Sequence, residues 1–334
     1  MKYSIIVPVY NRPDEVDELL ESLTLQTLKD FEVIIVEDGS IKTCKDVCDK
    51  YANILDLHYY AKENSGPGQS RNYGAERSNG EWLIILDSDV VLPEIYLTAV
   101  DKAITNHPTS EAPITAWGGP DAAHPSFTPV QKAISYSMTS FFTTGGIRGG
   151  KAKLDKFYPR SFNMGIRRDV YLQLGGFSKM RFGEDIDFSY RIVEAGYMPR
   201  LFPDAWVWHK RRTDFRKFFR QVYNSGIARI NLEKRHPGTM KLVHLLPTVF
   251  TLGVIGLLLI TLFFPLACVP IILYCIIICI DSSIKNKSLW VGLLSIPAAF
   301  VQLMGYGFGF IESWWKRCVL KQSEFTAFEK NFYK

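Results

Sequence analysis

Two carboxylates, Asp87 and Asp89, end the run Glu81-Trp82-Leu83-Ile84-Ile85-Leu86. Five apolar residues in a row read as a strand buried on both faces, the state of a central parallel strand. If the backbone stays extended past Leu86, the two acids point to the same side. Acids held that close repel unless a cation sits between them, and a divalent metal does this well. The plainer reading is an Asp-Ser-Asp turn capping a helix that starts near Pro93. A second acidic pair, Glu184-Asp185, follows Gly183 and opens a helix running to Gly196. Acids at a helix N-terminus are favourable on electrostatic grounds alone. A carboxylate can also serve as a general base, and the pattern by itself leaves both readings open. Asp187 and Arg191, one turn apart, read as an intrahelical ion pair.

The elements that must position these residues alternate. Lys2–Val9 reads as a strand, and Asp14–Leu25 carries Val16, Leu19, Leu20 and Leu23 at helical spacing. Phe31–Val36 is a second buried strand closing in Glu37-Asp38-Gly39-Ser40. A helix through Val47 and Tyr51 and a strand near Leu55–Tyr60 follow. The loop Asn64-Ser65-Gly66-Pro67-Gly68 then leads into a helix through Arg71, Asn72 and Ala75. This order predicts an α/β fold, a doubly wound, mostly parallel, Rossmann-like sheet, followed by C-terminal transmembrane helices. The acidic strand ends would converge on one crevice, where such sheets bind ligands.

The chain has 334 residues and a formal net charge of +5. No Asp, Glu, Lys or Arg occurs from Leu242 to Ile280 or from Ser288 to Ile311. A bilayer-spanning helix needs about 20 apolar residues, so the first run can supply two spans and the second one more. The resulting domains are 1–208, a catalytic head; 209–241, a basic interfacial segment; 242–311, two or three spans near 242–264, 266–280 and 289–311; and 312–334, a basic tail. Three spans would place that tail outside, against the charge rule, whereas two spans and a re-entrant segment would keep it inside. Lys210 to Lys241 holds ten basic and two acidic residues, interleaved with Phe215, Phe218, Phe219 and Tyr223. Beside an apolar run, that stretch suits an anionic membrane leaflet rather than nucleic acid. Met1-Lys2-Tyr3-Ser4-Ile5 enters a strand without a signal-peptide pattern, which predicts a head on the cytoplasmic side of the inner membrane. The six cysteines show no metal spacing with His and read as reduced. Gly145-Gly146-Ile147-Arg148-Gly149-Gly150 reads as a mobile loop closing over a ligand.

Ser4-Ile5-Ile6-Val7-Pro8-Val9-Tyr10-Asn11, Val36-Glu37-Asp38-Gly39-Ser40, Gly66…Arg71-Asn72 and Asp87-Ser88-Asp89 resemble the nucleotide-sugar half of glycosyltransferase family 2. Asn163-Met164-Gly165-Ile166-Arg167-Arg168, Gly175-Gly176-Phe177 and Gly183-Glu184-Asp185-Ile186-Asp187 extend the resemblance into the second half, over about residues 3–210. It departs at Glu37, where many relatives carry Asp.

The resemblance implies a glycosyltransferase-A fold and a metal-dependent, inverting transfer from a nucleotide-sugar donor. Pro8 and Tyr10 would shape the nucleoside pocket, Asp38 would accept a hydrogen bond from the base, and Arg71 would contact base or diphosphate. Asp89 would be the primary ligand of Mg²⁺ or Mn²⁺, with Asp87 helping through metal or ribose and His209 as a third ligand. Asp185 would be the base, with Glu184 orienting it or the acceptor. The acceptor would be a lipid-linked sugar or glycan, as in surface polysaccharide or glycolipid synthesis. A polyprenyl-phosphate glycosyltransferase and a non-catalytic nucleotide-sugar-binding subunit are the alternatives. Arg220-Gln221-Val222-Tyr223-Asn224 lacks the Arg-Trp ending of processive synthases, which argues against a chain-extending polymerase.

Overall fold

The computed structural model describes residues 1–108, 110–124, 126–145, 157–210 and 213–328. In chain order its elements are β1 (Tyr3–Val9), α1 (Pro13–Thr24), β2 (Phe31–Asp38), α2 (Lys45–Tyr51), β3 (Leu57–Lys62), α3 (Pro67–Glu76), β4 (Trp82–Leu86), β5 (Val90–Val91) and α4 (Tyr96–Thr105). There follow β6 (Ala116–Gly118), β7 (Asp121–Ala122), α5 (Pro129–Thr139), α6 (Phe141–Thr144), β8 (Asn163–Arg167), α7 (Arg168–Gln173), α8 (Glu184–Glu194), β9 (Arg200–Leu201) and β10 (Val207–His209). The C-terminal helices are α9 (Phe215–Arg235), α10 (Leu246–Thr261), α11 (Val269–Asn286) and α12 (Leu289–Trp314). They form two compact units: Met1–His124 with Leu154–Lys210, and Pro125–Lys153 with Arg211–Lys334.

The first unit is built on a seven-stranded sheet of order β3-β2-β1-β4-β8-β6-β9. β1, β2, β3 and β4 pair in parallel, while β8 runs antiparallel to β4 and β6. The alternation of β1 and β4 makes two cores. Ile5, Val7, Ile84 and Leu86 face the α1 side with Val16, Leu19, Leu20 and Leu23. Ile6, Leu83 and Ile85 face Ala75, Phe177 and Phe188 on the other. Helix α1 begins with Pro at its first turn and acids at Asp14 and Glu15, as its N-terminus favours. The third strand runs from Leu57 to Lys62 rather than Leu55–Tyr60. Val33 donates to the Asp56 carbonyl at 2.8 Å, which sets the register two residues later. Gly165 lets β8 and β6 accept a large ring: a Cβ there would fall 2.0 Å from Trp117 Cε2.

Among its described residues, the second unit contains three helices long and apolar enough to cross a membrane, Leu242–Thr261, Pro265–Asn286 and Leu289–Val319. A 3₁₀ turn at Pro265–Cys268 separates the first two. Helix α5 was not foreseen; its capping box joins Thr128 and Gln131. Residues 146–150 of the glycine-rich loop lie outside the described residues. All six cysteines are free.

Candidate active site

Strand β4 ends at Leu86 and delivers Asp87 and Asp89 to the C-terminal edge of the parallel strands. The chain after Asp89 pairs as β5 with β10, opposing Val90 to His209, and Lys210 N donates to Asp89 O at 3.1 Å. That pairing brings together residues 120 positions apart in sequence: His209 Nε2 lies 3.2 Å from Asp89 Oδ1. Phe162 stacks on the imidazole at 5.0 Å between ring centroids, fixing its plane. Asp87, Asp89 and His209 each present a donor atom within 4.8 Å of the others.

Two carboxylates and an imidazole form a mixed O/N donor set suited to Mn²⁺ or Mg²⁺. His209 Nδ1 is buried without a hydrogen-bond partner, although Asp121 Oδ2 stands 3.9 Å away. Arginines supply the positive charge that two neighbouring carboxylates demand. Arg12 NH1 lies 2.6 Å from Asp89 Oδ2, and Arg71 NH2 lies 2.7 Å from Asp87 Oδ1. Burial alone would lower the proton affinity of Arg12, but Asp89 holds it above its usual value. The donor set fits a divalent cation.

Arg71 joins the two acidic clusters. It is buried on α3, and its other terminal nitrogen, NH1, lies 3.0 Å from Glu184 Oε1. Its guanidinium also sits 5.2 Å from the Phe177 ring centre. Glu184 opens α8 after Gly183, whose φ of +86° is a left-handed cap that glycine takes without strain. Burial, reinforced by the Asp185 charge, lifts Glu184 to about 7 despite Arg71. Asp185 goes the other way. Burial would raise it, but Arg160 Nε at 2.6 Å and the Ile186 amide at 2.9 Å hold it below the usual carboxylate value. The neighbouring acids are thus pushed apart in proton affinity, a pattern typical of acid–base sites.

Asp38 shapes the loop before α3. Its carboxylate accepts from Ser65 N and Gly66 N at 2.9 Å each and from Lys62 Nζ. Glu37 points to the opposite face, where it accepts from Ser40, from Cys44 N at 2.7 Å and from Tyr59 OH at 3.3 Å. Pro8, the penultimate residue of β1, and Tyr10, just past its end, are both half-buried. Asn11, at φ +54°, follows and accepts from Ile41 N and Lys42 N at 2.7 and 2.9 Å, tying the ends of β1 and β2 together. Asn72, one residue past Arg71, accepts from Phe177 N at 2.8 Å and Tyr171 OH at 2.6 Å, which secures the Gly175-Gly176 turn. The structure therefore groups Asp87, Asp89, His209, Arg71, Glu184 and Asp185, with Asp38 fixing the loop that launches α3. Sequence reasoning missed Arg12 and Arg160. Arg12 carries a faint signal, a cation at the helix entry directly after Asn11; Arg160 carries none.

The strand order, a β4-end acid pair with a histidine partner and a second acid pair on α8 define a glycosyltransferase-A-like sheet enzyme scaffold. The Glycosyl transferase family 2 profile matches residues 4–172, just over half of the chain, and the chain belongs to this family. An uncharacterized glycosyltransferase of Haemophilus influenzae is 31% identical over 201 residues, covering 57% of this chain and 62% of the relative. The poly(ribitol-phosphate) beta-N-acetylglucosaminyltransferase TarS of Staphylococcus aureus is 39% identical over 93 residues, covering 27% of this chain and 16% of the relative. The chain thus spans less than two thirds of either relative. Among solved structures, the mannosyltransferase PcManGT of Pyrobaculum calidifontis, in complex with GDP-Man and Mn²⁺, superposes with a TM-score of 0.61 at 17% identity, covering 90% of this chain and 87% of that one. A crystal structure of S. aureus TarS gives 0.51 at 21% identity, covering 75% and 42%. At these identities the likeness is one of fold.

Proposed function

We propose that the chain is a metal-dependent, inverting glycosyltransferase acting at the cytoplasmic face of the inner membrane. It moves a sugar from a nucleotide-sugar donor to a lipid-linked or glycan acceptor in surface polysaccharide or glycolipid synthesis. One observation carries the reading: the buried guanidinium of Arg71 contacts Asp87 and Glu184 together. One side chain therefore bridges the metal-type donor set and the acid–base pair. The fold neighbour PcManGT is in complex with GDP-Man and Mn²⁺, which supports a nucleotide-sugar donor.

Asp87, Asp89 and His209 would hold Mg²⁺ or Mn²⁺, which when bound neutralises diphosphate charge as the sugar–phosphate bond breaks. Pro8 and Tyr10 shape the nucleoside pocket, and Asp38 keeps an unused lone pair for the base. Arg71 is placed to exchange a carboxylate for a donor phosphate oxygen, a group its fork suits equally. Asp185 takes the acceptor hydroxyl proton as that oxygen bonds to the anomeric carbon and the nucleoside diphosphate leaves. Arg160 keeps Asp185 ionised until then, and Glu184 orients it. One displacement with one base inverts the anomeric centre.

A thermal-shift panel of nucleotide sugars with and without Mn²⁺ tests this, because a ligand selective for the folded state stabilises it in proportion to affinity. A donor that stabilises only with Mn²⁺, and not in Asp89→Asn, supports the reading; no metal-dependent shift with any donor refutes it. The Arg160 guanidinium beside Asp185 favours one variant reading, an anionic lipid-phosphate acceptor. Under it Asp185→Asn keeps substantial turnover, since no proton needs removing.

A further inference from the structure

The three apolar helices invite a count of membrane crossings, and the packing of α9 decides against a crossing by α12. Helix α9 runs alongside α12 in the same direction. Phe218 and Val222 pack with Val301, the Gly305 Cβ position lies 2.6 Å from Val222, and Ser313 Oγ donates to Ile227 O at 3.2 Å. Glycines make the contact close. A Cβ at Gly309 would fall 2.0 Å from Tyr223 O, and one at Gly226 would fall 2.2 Å from Tyr306 O. Two helices locked this tightly lie in the membrane at the same tilt.

Val301 is the middle of α12, whose 26 residues span ~39 Å. If α12 crossed the ~30 Å hydrocarbon layer, Val301 would sit near its centre. Phe218 would sit there too, carrying Arg216 and Lys217, both exposed, one turn away. Such charges at the bilayer centre are expensive and are tolerated only when they face protein or a water-filled cavity. The other half of α12 is covered as well. Helix α5 packs Ala133 against Val291 and Ala298, and Tyr136 OH donates to Asp281 at 2.7 Å beside Lys285, in the last turn of α11. Beyond α12, the tail returns to α9. Asn224 exchanges hydrogen bonds with Ala327 at 2.9 and 3.0 Å, and Arg235 meets Glu324 at 2.8 Å.

We propose that α12 does not cross the bilayer but forms, with α9, a platform on one membrane face. Helices α9 and α12 lie along the membrane surface, and the exposed apolar faces of α10 and α11 dip into the acyl layer. The lipid-facing surface includes Leu252, Leu259, Phe263, Leu273, Ile276 and Ile280, all exposed in the isolated chain. Basic Arg216, Lys217 and Lys234 meet anionic headgroups at its edge. Trp290 and Trp314, at the two ends of α12, are interfacial residues in this arrangement as in a span, so they do not discriminate; the α9 cations do. The platform removes α12 from the spans that length and composition allow, and it puts the tail on the same side as α9. The inference rests on the membrane association proposed above, not on the glycosyl transfer.

The two ends of α12 provide the test. Native Cys318 is exposed just beyond it, and Lys287, also exposed, sits in the turn before it. In the full-length chain, Cys318 and Lys287→Cys are labelled with a membrane-impermeant maleimide in sealed inverted vesicles and in intact spheroplasts. Detergent-treated samples set full reactivity. The expected result is labelling of both sites in inverted vesicles and of neither in spheroplasts. Labelling from opposite faces would show that α12 crosses the bilayer and would overturn the proposal. Trypsin cleavage of the unmodified chain after Lys287 and Lys321, read in the same two preparations, gives the same discrimination without a substitution. A chain recovered wholly in the soluble fraction would instead sink membrane association itself.

Discussion

Glu184→Gln should stabilise the protein, and only at neutral to alkaline pH. Glu184 moves from an ordinary value of 4.5 to about 7 in the fold, chiefly through burial. Between those values the folded chain keeps a proton that the unfolded chain releases. Stability therefore falls as pH rises through that window, by ~1.4 kcal/mol per unit and about 3 kcal/mol in all. Glutamine carries no charge in either state, keeps an oxygen for Arg71, and removes this penalty. For a unit of 150–250 residues, 1 kcal/mol moves Tm by ~2–4 °C, so the variant should melt about 6–12 °C above wild type at pH 8. At pH 5, where most of the penalty has vanished, the two should nearly coincide. The assay is thermal unfolding of the detergent-purified full chain at both pH values. An equal difference at the two pH values, or a loss at pH 8, would refute the reasoning. Asp185 supplies the opposite sign. Its depressed value contributes stability above its unfolded value that is lost as pH falls through the folded one, so Asp185→Asn should destabilise at pH 8.

Arg160→Met removes the cation that holds Asp185 ionised, so the acidic limb of the pH–activity profile should move to higher pH; an unchanged limb would separate Arg160 from the base. Arg12→Gln frees one oxygen of Asp89, and Mn²⁺ should bind the donor-free chain about fivefold more tightly, equivalent to the ~1 kcal/mol of a partly exposed pair, in an EPR titration. Gly309→Val should part α9 from α12, since even a Cβ meets Tyr223 O at 2.0 Å; a loss of membrane-bound yield would register it, and wild-type recovery would contradict the packing.

The strands and α1 were legible because burial on both faces and the 3.6-residue stripe leave strong local signals. Val16, Leu19, Leu20 and Leu23 are all fully buried. Asp87, Asp89, Glu184 and Asp185 were legible as pairs at the ends of such elements. Their partners were not. His209 reaches Asp89 through a ladder of only two residue pairs, and nothing local predicts which short strands pair. Arg160 sits in an irregular segment before β8, and its reach to Asp185 is purely tertiary. Asp38 was read as facing a base, yet the fold also spends it on the Ser65 and Gly66 amides, a use no local pattern reveals. Helix α5 could have been read, since Thr128-Pro129-Val130-Gln131 is a capping-box start. The packing of α9 along α12 could not, because the composition of α12 alone is that of a span.

The claim on which the rest depends is that Asp87, Asp89 and His209 hold a cation against a donor diphosphate. Electron spin-echo envelope modulation of Mn²⁺ added with the nucleotide sugar giving the largest thermal shift tests it most directly. A directly bound imidazole nitrogen and a coupled phosphorus are expected in the wild type, with the nitrogen signal lost in His209→Ala. A Mn²⁺ signal without nitrogen coupling, or one that survives that substitution, would contradict it.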